Sequence, residues 1–332
     1  MRRNKQQFQR PGRAGVTWFD VIASILILLL LFTLASMYTV KNAVPASRRA
    51  ECQNHLKQIV TAACNRASRH NGRLPFLTAK YETVQTNWFI ELLPGLDHAP
   101  LHRDWHSSDQ AERERLREKV LRVAQCPDDK NKYGKNADLS YVANSGYGYF
   151  PVAVDSFAVM EPGPHSPVTI DWNGDGEITD IEKMAGFATG VFWHEGSTGG
   201  RDSSLGYISN GDGQSNTIMF AENRNAGAWS SSKTMDIAFV AGLERIEFAG
   251  EREEANILAL KKADLGPFAL DGGRASRHSP GPGSNHGGVV FFAMADGGAR
   301  QISSQIDQLV YLRLMTPNGH RFGQTVEGLD RY

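Results

Sequence analysis

The sequence predicts an α+β protein: a long N-terminal membrane-spanning helix followed by a β-rich globular domain, the latter all-β or α+β. Three observations carry this expectation: an apolar run directly after a purely basic leader, an amphipathic continuation of that run, and short β-type runs between glycine-rich turns over most of the remainder. With 332 residues and 41% apolar content the chain can bury a full core. Lys plus Arg and Asp plus Glu both total 36, so no basic excess points to nucleic acid and none is expected as a partner.

Residues 1–15 hold Arg2, Arg3, Lys5, Arg10 and Arg13 with no acid, and the stretch "GVTWFDVIASILILLLLFTLASMYTV" follows with Asp20 as its only charge. About 20 apolar residues cross a ~30 Å hydrocarbon core, so residues 21–40 are expected to span a membrane once. A secretory signal would have a shorter apolar region and a small-residue cleavage site after it. The basic leader should stay in the cytoplasm, leaving the bulk of the chain exported from the inner membrane, with the cell surface or a filament as further destinations. Pro45 can kink the helix, and Ala50, Leu56, Ile59, Val60, Ala63 and Ala67 then mark one apolar face until "HNGRLP" stops it.

Export would put Cys52, Cys64 and Cys126 in an oxidising compartment. Cys52 and Cys64 lie on one predicted helix, about 18 Å apart along its axis, too far for a disulfide. Cys126 is therefore a partner in any bridge; Cys52 with Cys126 is the favoured pair, and three small buried apolar residues are the alternative.

After the helix come a short apolar element, "NWFIELLPGL", and an expected helix over "AERERLREKVLRVA" with Leu116, Val120, Val123 and Ala124 on one face. Beyond residue 126 the texture becomes β-type: "LSYVANSGYGYF", "GFATGVFW", "NTIMFAE", "MDIAFVAG" and "GGVVFFAMADGGARQIS" read as strands and hairpins.

The sharpest local chemistry is "DWNGDGEITDIE", residues 171–182, which fits D-x-[DN]-x-[DN]-G-x5-E at every specified position. Asp171, Asn173 and Asp175 would offer side-chain oxygens, Glu177 its carbonyl, Thr179 a direct or water-mediated oxygen, and Glu182 a bidentate carboxylate. Gly176 sits at the sharp turn, and calcium wants six to eight such hard oxygens. Pro162, Pro164 and Pro167 exclude a regular entering helix, so the expectation is half an EF-hand holding a structural Ca2+; the alternative is an acidic turn without metal.

The common nucleophile, zinc and phosphate-cradle motifs are absent, so no enzyme is expected and no catalytic residue is assigned. His194 and Glu195 in "FWHEG" would point to opposite faces of a strand, which suits structural contacts. His278, His286 and His320 could converge on a metal only through the fold. His286 and Asp296 flank a run that would separate them by roughly 30 Å as a strand. They are read as a fold signature, with Asp296 and Gly297 turning a hairpin.

The segment Gly15, Val16, Thr17, Trp18, Phe19, Asp20 followed by an apolar helix resembles a prepilin cleavage and methylation site. That resemblance implies cutting after Gly15 by a prepilin-type peptidase, methylation of Val16, association with the bilayer and assembly with similar pilin-like subunits. The fifth mature residue, usually glutamate in that family, is Asp20 here. The rest resembles a large family of unknown function, typical of planctomycetes, with a C-terminal His, nine residues, Asp-Gly signature, matched by His286, Asp296 and Gly297. It is domain of unknown function 1559, with an older label as bacterial solute-binding family 10. Further matching stretches are "CQNHLKQI", "NWFIELLPGL", "CPDD", "SYVANSG", "DGQSNTIMFAE" and "IDQLVYLRLMTPNG". The resemblance implies a pilin- or pseudopilin-like fold and no particular reaction, and the acidic loop looks like an insertion in it. The expected layout is a leader over 1–15, the helix over 16–70 and an exported β-rich domain over 71–332. The expected function is a membrane-anchored pseudopilin-like structural or surface protein; the alternative is an anchored calcium-dependent module that binds a glycan or solute.

Overall fold

The computed structural model describes residues 15–148, 166–243, 246–249, 255–265, 270 and 281–325, with the backbone alone at 35–44. The chain divides into two compact units, Met1–Ser47 and Arg48–Tyr332. Helix α1 (Trp18–Arg69) contributes to both and has Pro45 inside it. Thr17 and Asp20 close its first turn reciprocally: the Thr17 N–H donates to Asp20 Oδ2 at 2.9 Å and the Asp20 N–H to Thr17 Oγ1 at 3.4 Å.

Among the described residues, no helix is long and apolar enough to cross a membrane. The expected spanning helix over residues 21–40, and the pilin-like fold built on it, are thereby corrected.

In the second unit, α1 buries Cys52, Leu56, Ile59, Val60, Ala63 and Ala67 completely, a stripe at three-, four- and seven-residue steps. Ala50, expected on that stripe, is exposed, and Cys52 takes its place. The helix ends as the sequence suggests. Asn71 (φ 56°) and Gly72 (φ 80°) are left-handed, and the Gly72 N–H reaches the Ala67 carbonyl at 2.8 Å.

A hairpin of β1 (Thr78–Tyr81) and β2 (Val84–Asn87) follows, then the short helices α2 (Trp88–Leu92), α3 (Ala99–Ser107) and α4 (Gln110–Leu116). The expected helix over residues 111–124 stops at Leu116, and a 3-10 turn covers Arg122–Ala124. Leu116 and Leu121 are both buried while Val120 is 40% exposed. Five residues apart on a helix, the two leucines would diverge by about 140°, so the chain leaves the helix to bury both.

The central sheet has the order β5-β3-β4-β8-β9, from β3 (Tyr141–Gly148), β4 (Ile218–Glu222), β5 (Ala238–Gly242), β8 (Val289–Met294) and β9 (Ala299–Ser303). Only the β3–β5 pairing is parallel. Every residue of β3, β4 and β5 is buried, so both faces are covered. Tyr141 reaches Cys52 of α1, while Tyr147 donates to the Leu312 carbonyl of α8 (Gln308–Met315). Asp296 and Gly297 (φ 85°) turn β8 into β9, with the Gly298 N–H on Asp296 Oδ1. Helices α5 (Asp180–Phe187), α6 (Leu205–Ser209) and α7 (Thr234–Ile237) and the hairpin β6 (Ile246–Phe248) with β7 (Leu260–Ala263) complete the unit.

The segment "GFATGVFW" is no strand: its first two residues end α5. The rest bonds to neighbours on two sides, with the Val191 and Phe192 N–H groups on the Asn144 carbonyl and the Leu77 N–H on that of Trp193. Gly190 lies against the backbone of Gly146, where β3 bulges and any Cβ would collide.

Asn87 shows how polar side chains lock the connections. Its Oδ1 accepts the Phe89 and Ile90 N–H groups at 2.9 and 3.0 Å, capping α2, and its Nδ2 donates to the Trp229 and Ser231 carbonyls. Asn87→Ala would remove the cap and leave a buried carbonyl unpaired, so the expected loss is about 2 kcal/mol, measured by denaturant unfolding. A change below about 0.5 kcal/mol would show that this cap is dispensable.

Candidate functional site

Two chemically dense places stand out in the second unit. The first is buried where α1 meets the sheet. Cys52 comes from α1, Cys126 from the turn before "PDD", Glu222 from the last position of β4, and His286 from the loop that leads into β8. All four are buried, and their ligating atoms lie within 4.8 Å of one another. Cys52 and Cys126, the pair favoured from sequence, are joined as a disulfide with their Cα atoms 5.2 Å apart. Around it, His286 Nε2 is 3.2 Å from Cys126 Sγ and 3.5 Å from Glu222 Oε1, while Cys52 Sγ is 3.4 Å from Glu222 Oε1 and 3.2 Å from the Tyr141 hydroxyl.

A carboxylate orients the imidazole, with Asp128 Oδ2 2.9 Å from His286 Nδ1 and Arg48 3.1 Å from Asp128 Oδ1. Arg49 donates to the His286 carbonyl at 3.0 Å. Burial pushes the Glu222 carboxyl up to about 8, and its Oε2 is buried with no hydrogen-bond partner among the described residues. Burial pushes the His286 imidazole down, with Asp128 opposing. Two sulfurs, an imidazole and a carboxyl group are thus held together in the interior. The fold signature His286, Asp296, Gly297 is split: His286 enters this cluster, while Asp296 stays at the hairpin turn paired with Arg300 at 3.1 Å.

The second place is the acidic loop. Asp171 accepts the Gly174 and Gly176 N–H groups on its two oxygens, and Asn173 and Asp175 accept those of Asp175 and Glu177. Gly176, at the position that must turn, has φ 88°. The donor set is oxygen-only and suits Ca2+. Its C-terminal end is engaged otherwise. Thr179 and Glu182 form a capping box on α5, and Glu182 Oε1 also accepts the Trp172 and Asn173 N–H groups. Glu182 therefore already ties the two ends of the loop together, and metal ligation by it requires those N–H bonds to be exchanged.

Among other candidates, Gly15, Val16 and Asp20 are exposed, and the Thr17 hydroxyl holds the Asp20 carboxyl below the usual range. Residues 1–14 and His278 lie outside the described residues. Cys64 is a free, half-buried thiol. His320 pairs with Asp212 at 2.6 Å in a different place from His286. A separate open cavity of about 610 Å³ is lined by Lys261, Lys262, Leu265, Gln308 and Tyr311, none of them singled out from sequence. His194 and Glu195 diverge: His194 bridges Thr78 and Thr234 inside, and Glu195 accepts the Lys80 N–H at the surface.

Sequence reasoning passed over Glu222 and Asp128. The available signal for Glu222 was a single acid closing the apolar run "NTIMFA"; for Asp128 it was adjacency to Cys126.

His194 supplies a pH prediction. Burial pushes its imidazole down to about 4, below the ordinary 6.5. The unfolded chain protonates first on acidification, so stability from the neutral ring is present above pH 6.5 and is lost as pH falls toward 4. Unfolding free energy should drop over that interval by up to about 3 kcal/mol on account of this residue. His194→Gln should flatten the acid limb relative to wild type; an unchanged limb would contradict the assignment.

No curated protein and no solved structure compared with the chain matches it. A family model does, over residues 41–309, a span that holds Cys52, Cys126, Glu222, His286 and the whole acidic loop. The chain belongs to that family, described as a protein of unknown function (DUF1559) and labelled SBP_bac_10.

Proposed function

We propose that the chain is an exported structural protein, cut after Gly15 by a prepilin-type peptidase and assembled with similar subunits through the apolar start of α1. The observation that carries this reading is the surface of residues 16–34. Trp18, Phe19, Ile22 and the unbroken run Ile25 to Phe32 are all at least 40% exposed, so the helix is apolar on every side. So large a contiguous apolar surface marks an interaction site. Helices of other subunits carrying the same segment fit it by shape and polarity, and Asp20, exposed and acidic, offers a counter-charge to a neighbour's terminal ammonium. The Cys52–Cys126 disulfide supports export, because such bonds persist in oxidising compartments.

Native protein from cells with and without the peptidase should differ by the leader: N-terminal mass spectrometry should give a chain starting at methylated Val16 in the first and Met1 in the second. Leu30→Cys should form cross-links to like subunits in the first only. Identical unprocessed chains in both, or a processed chain that cross-links to nothing, would overturn the reading.

The same proposal gives the acidic loop a bracing role with Ca2+ on Asp171, Asn173, Asp175, the Glu177 carbonyl, Thr179 and Glu182. Exported calcium modules bind at roughly 10⁻⁴ to 10⁻³ M, so 10 mM Ca2+ should add about 1–3 kcal/mol over EDTA. That difference should vanish in Asp171→Ala. Equal melting temperatures in calcium and EDTA for the wild type would remove the ion from the account.

A further inference from the structure

The disulfide accounts for two members of the buried cluster but not for the imidazole and carboxyl group beside it. Cys52, Cys126, Glu222 and His286 are 0, 1, 2 and 2% exposed. A carboxyl and an imidazole in such a place cost stability unless partnered; Ser284 and the Phe291 backbone bond to the Glu222 carboxyl, but geometrically its Oε2 has no hydrogen-bond partner among the described residues. The side chains are also aimed. Asp128, tied by Arg48, holds the far nitrogen of His286, so Nε2 turns inward toward Cys126 and Glu222.

We propose that, in its dithiol form, this cluster is a site for a thiophilic divalent cation of the zinc class, ligated by the Cys52 and Cys126 sulfurs, His286 Nε2 and the Glu222 carboxylate. Around a tetrahedral zinc with bonds of about 2.0–2.3 Å, neighbouring ligand atoms stand roughly 3.3–3.7 Å apart. The sulfur–nitrogen, sulfur–oxygen and nitrogen–oxygen separations observed are 3.2, 3.4 and 3.5 Å. Sulfur with imidazole selects zinc over the hard cations that suit the acidic loop. Asp128 behind His286 is the outer carboxylate that zinc-bound imidazoles commonly have. Arg49, on the His286 carbonyl, and Arg48 offset the three negative ligands.

The dithiol is reached by two-electron reduction. A phosphine takes oxygen from water to become its oxide, its electron pair breaks the Cys52–Cys126 bond, and the two protons of that water yield two thiols. Binding then displaces both thiol protons, and the Glu222 proton where the carboxyl carries one, to solvent as the metal–sulfur and metal–oxygen bonds form.

The test uses the full chain with excess Ca2+ to occupy oxygen sites. Protein reduced with a water-soluble phosphine and protein left oxidised are each titrated with Co2+ and Zn2+ anaerobically, followed by absorbance, by metal analysis after desalting and by melting temperature. The reduced chain should take up one equivalent, show thiolate-to-cobalt charge transfer, and melt higher with Zn2+ than without; the oxidised chain should do none of these. Glu222→Gln and His286→Ala should weaken zinc at least tenfold, and Cys64→Ser should leave it unchanged. Uptake by the reduced wild type no greater than by the oxidised wild type, including a reduced chain that zinc does not stabilise, would overturn the proposal. Because the readout is metal on the globular unit, it is independent of Gly15 processing.

Discussion

One helical face sets the terms for the globular unit. Cys52, Leu56, Ile59, Val60, Ala63 and Ala67 of α1 must leave water together, and only a broad apolar sheet can cover them. That requirement places β3, β4 and β8 side by side and forces the polar groups along the seam to find partners within it. Gln53 donates to the Ala299 carbonyl, Cys64 approaches that of Ala295, and Tyr141, Glu222 and His286 crowd around Cys52. The covalent link to Cys126 closes a loop of 74 residues and, on loop-entropy grounds, is worth roughly 4 kcal/mol against the unfolded chain. The chemistry of the cluster is thus a by-product of how the helix is seated, and it cannot be altered without disturbing that seat.

The parts of this arrangement that were legible in the sequence are those with a local cause. The buried stripe of α1 follows from its spacing, its stop from Gly72 within "HNGRLP", and the β8–β9 hairpin from Asp296 and Gly297. The early end of α4 was not legible, because it depends on burying Leu121 as well as Leu116, and burial is a property of the finished fold. "GFATGVFW" carries strand composition but ends as a bonded loop, since Gly190 is taken up by its close approach to Gly146. The apolar N-terminal run, counted to residue 40, predicts a membrane span, whereas among the described residues no helix is long and apolar enough to cross a membrane.

The two candidate metal sites divide along the same line. The acidic loop keeps its ligands within twelve residues, so spacing alone exposed it, and its turn geometry comes from its own glycines and carboxylates. Thr179 and Glu182 show the limit of that reading: the motif that names them as ligands is also a capping box, and the helix has claimed them. Spacing cannot say which of two uses of a carboxylate wins.

The buried cluster draws on positions 52, 126, 222 and 286, too far apart for any short stretch of sequence to contain two of its members. This difference has a thermodynamic side. A ligand on the acidic loop is opposed by the ordering of a short segment and the exchange of the Glu182 hydrogen bonds within it, so its binding reports on that segment. A ligand in the cluster is bound only where α1, β4 and the approach to β8 are already assembled, so its binding free energy is shared with the folding of the whole unit. The cluster is the place in this molecule where local chemistry and global stability are the same quantity, which is why melting and metal uptake have to be read together there.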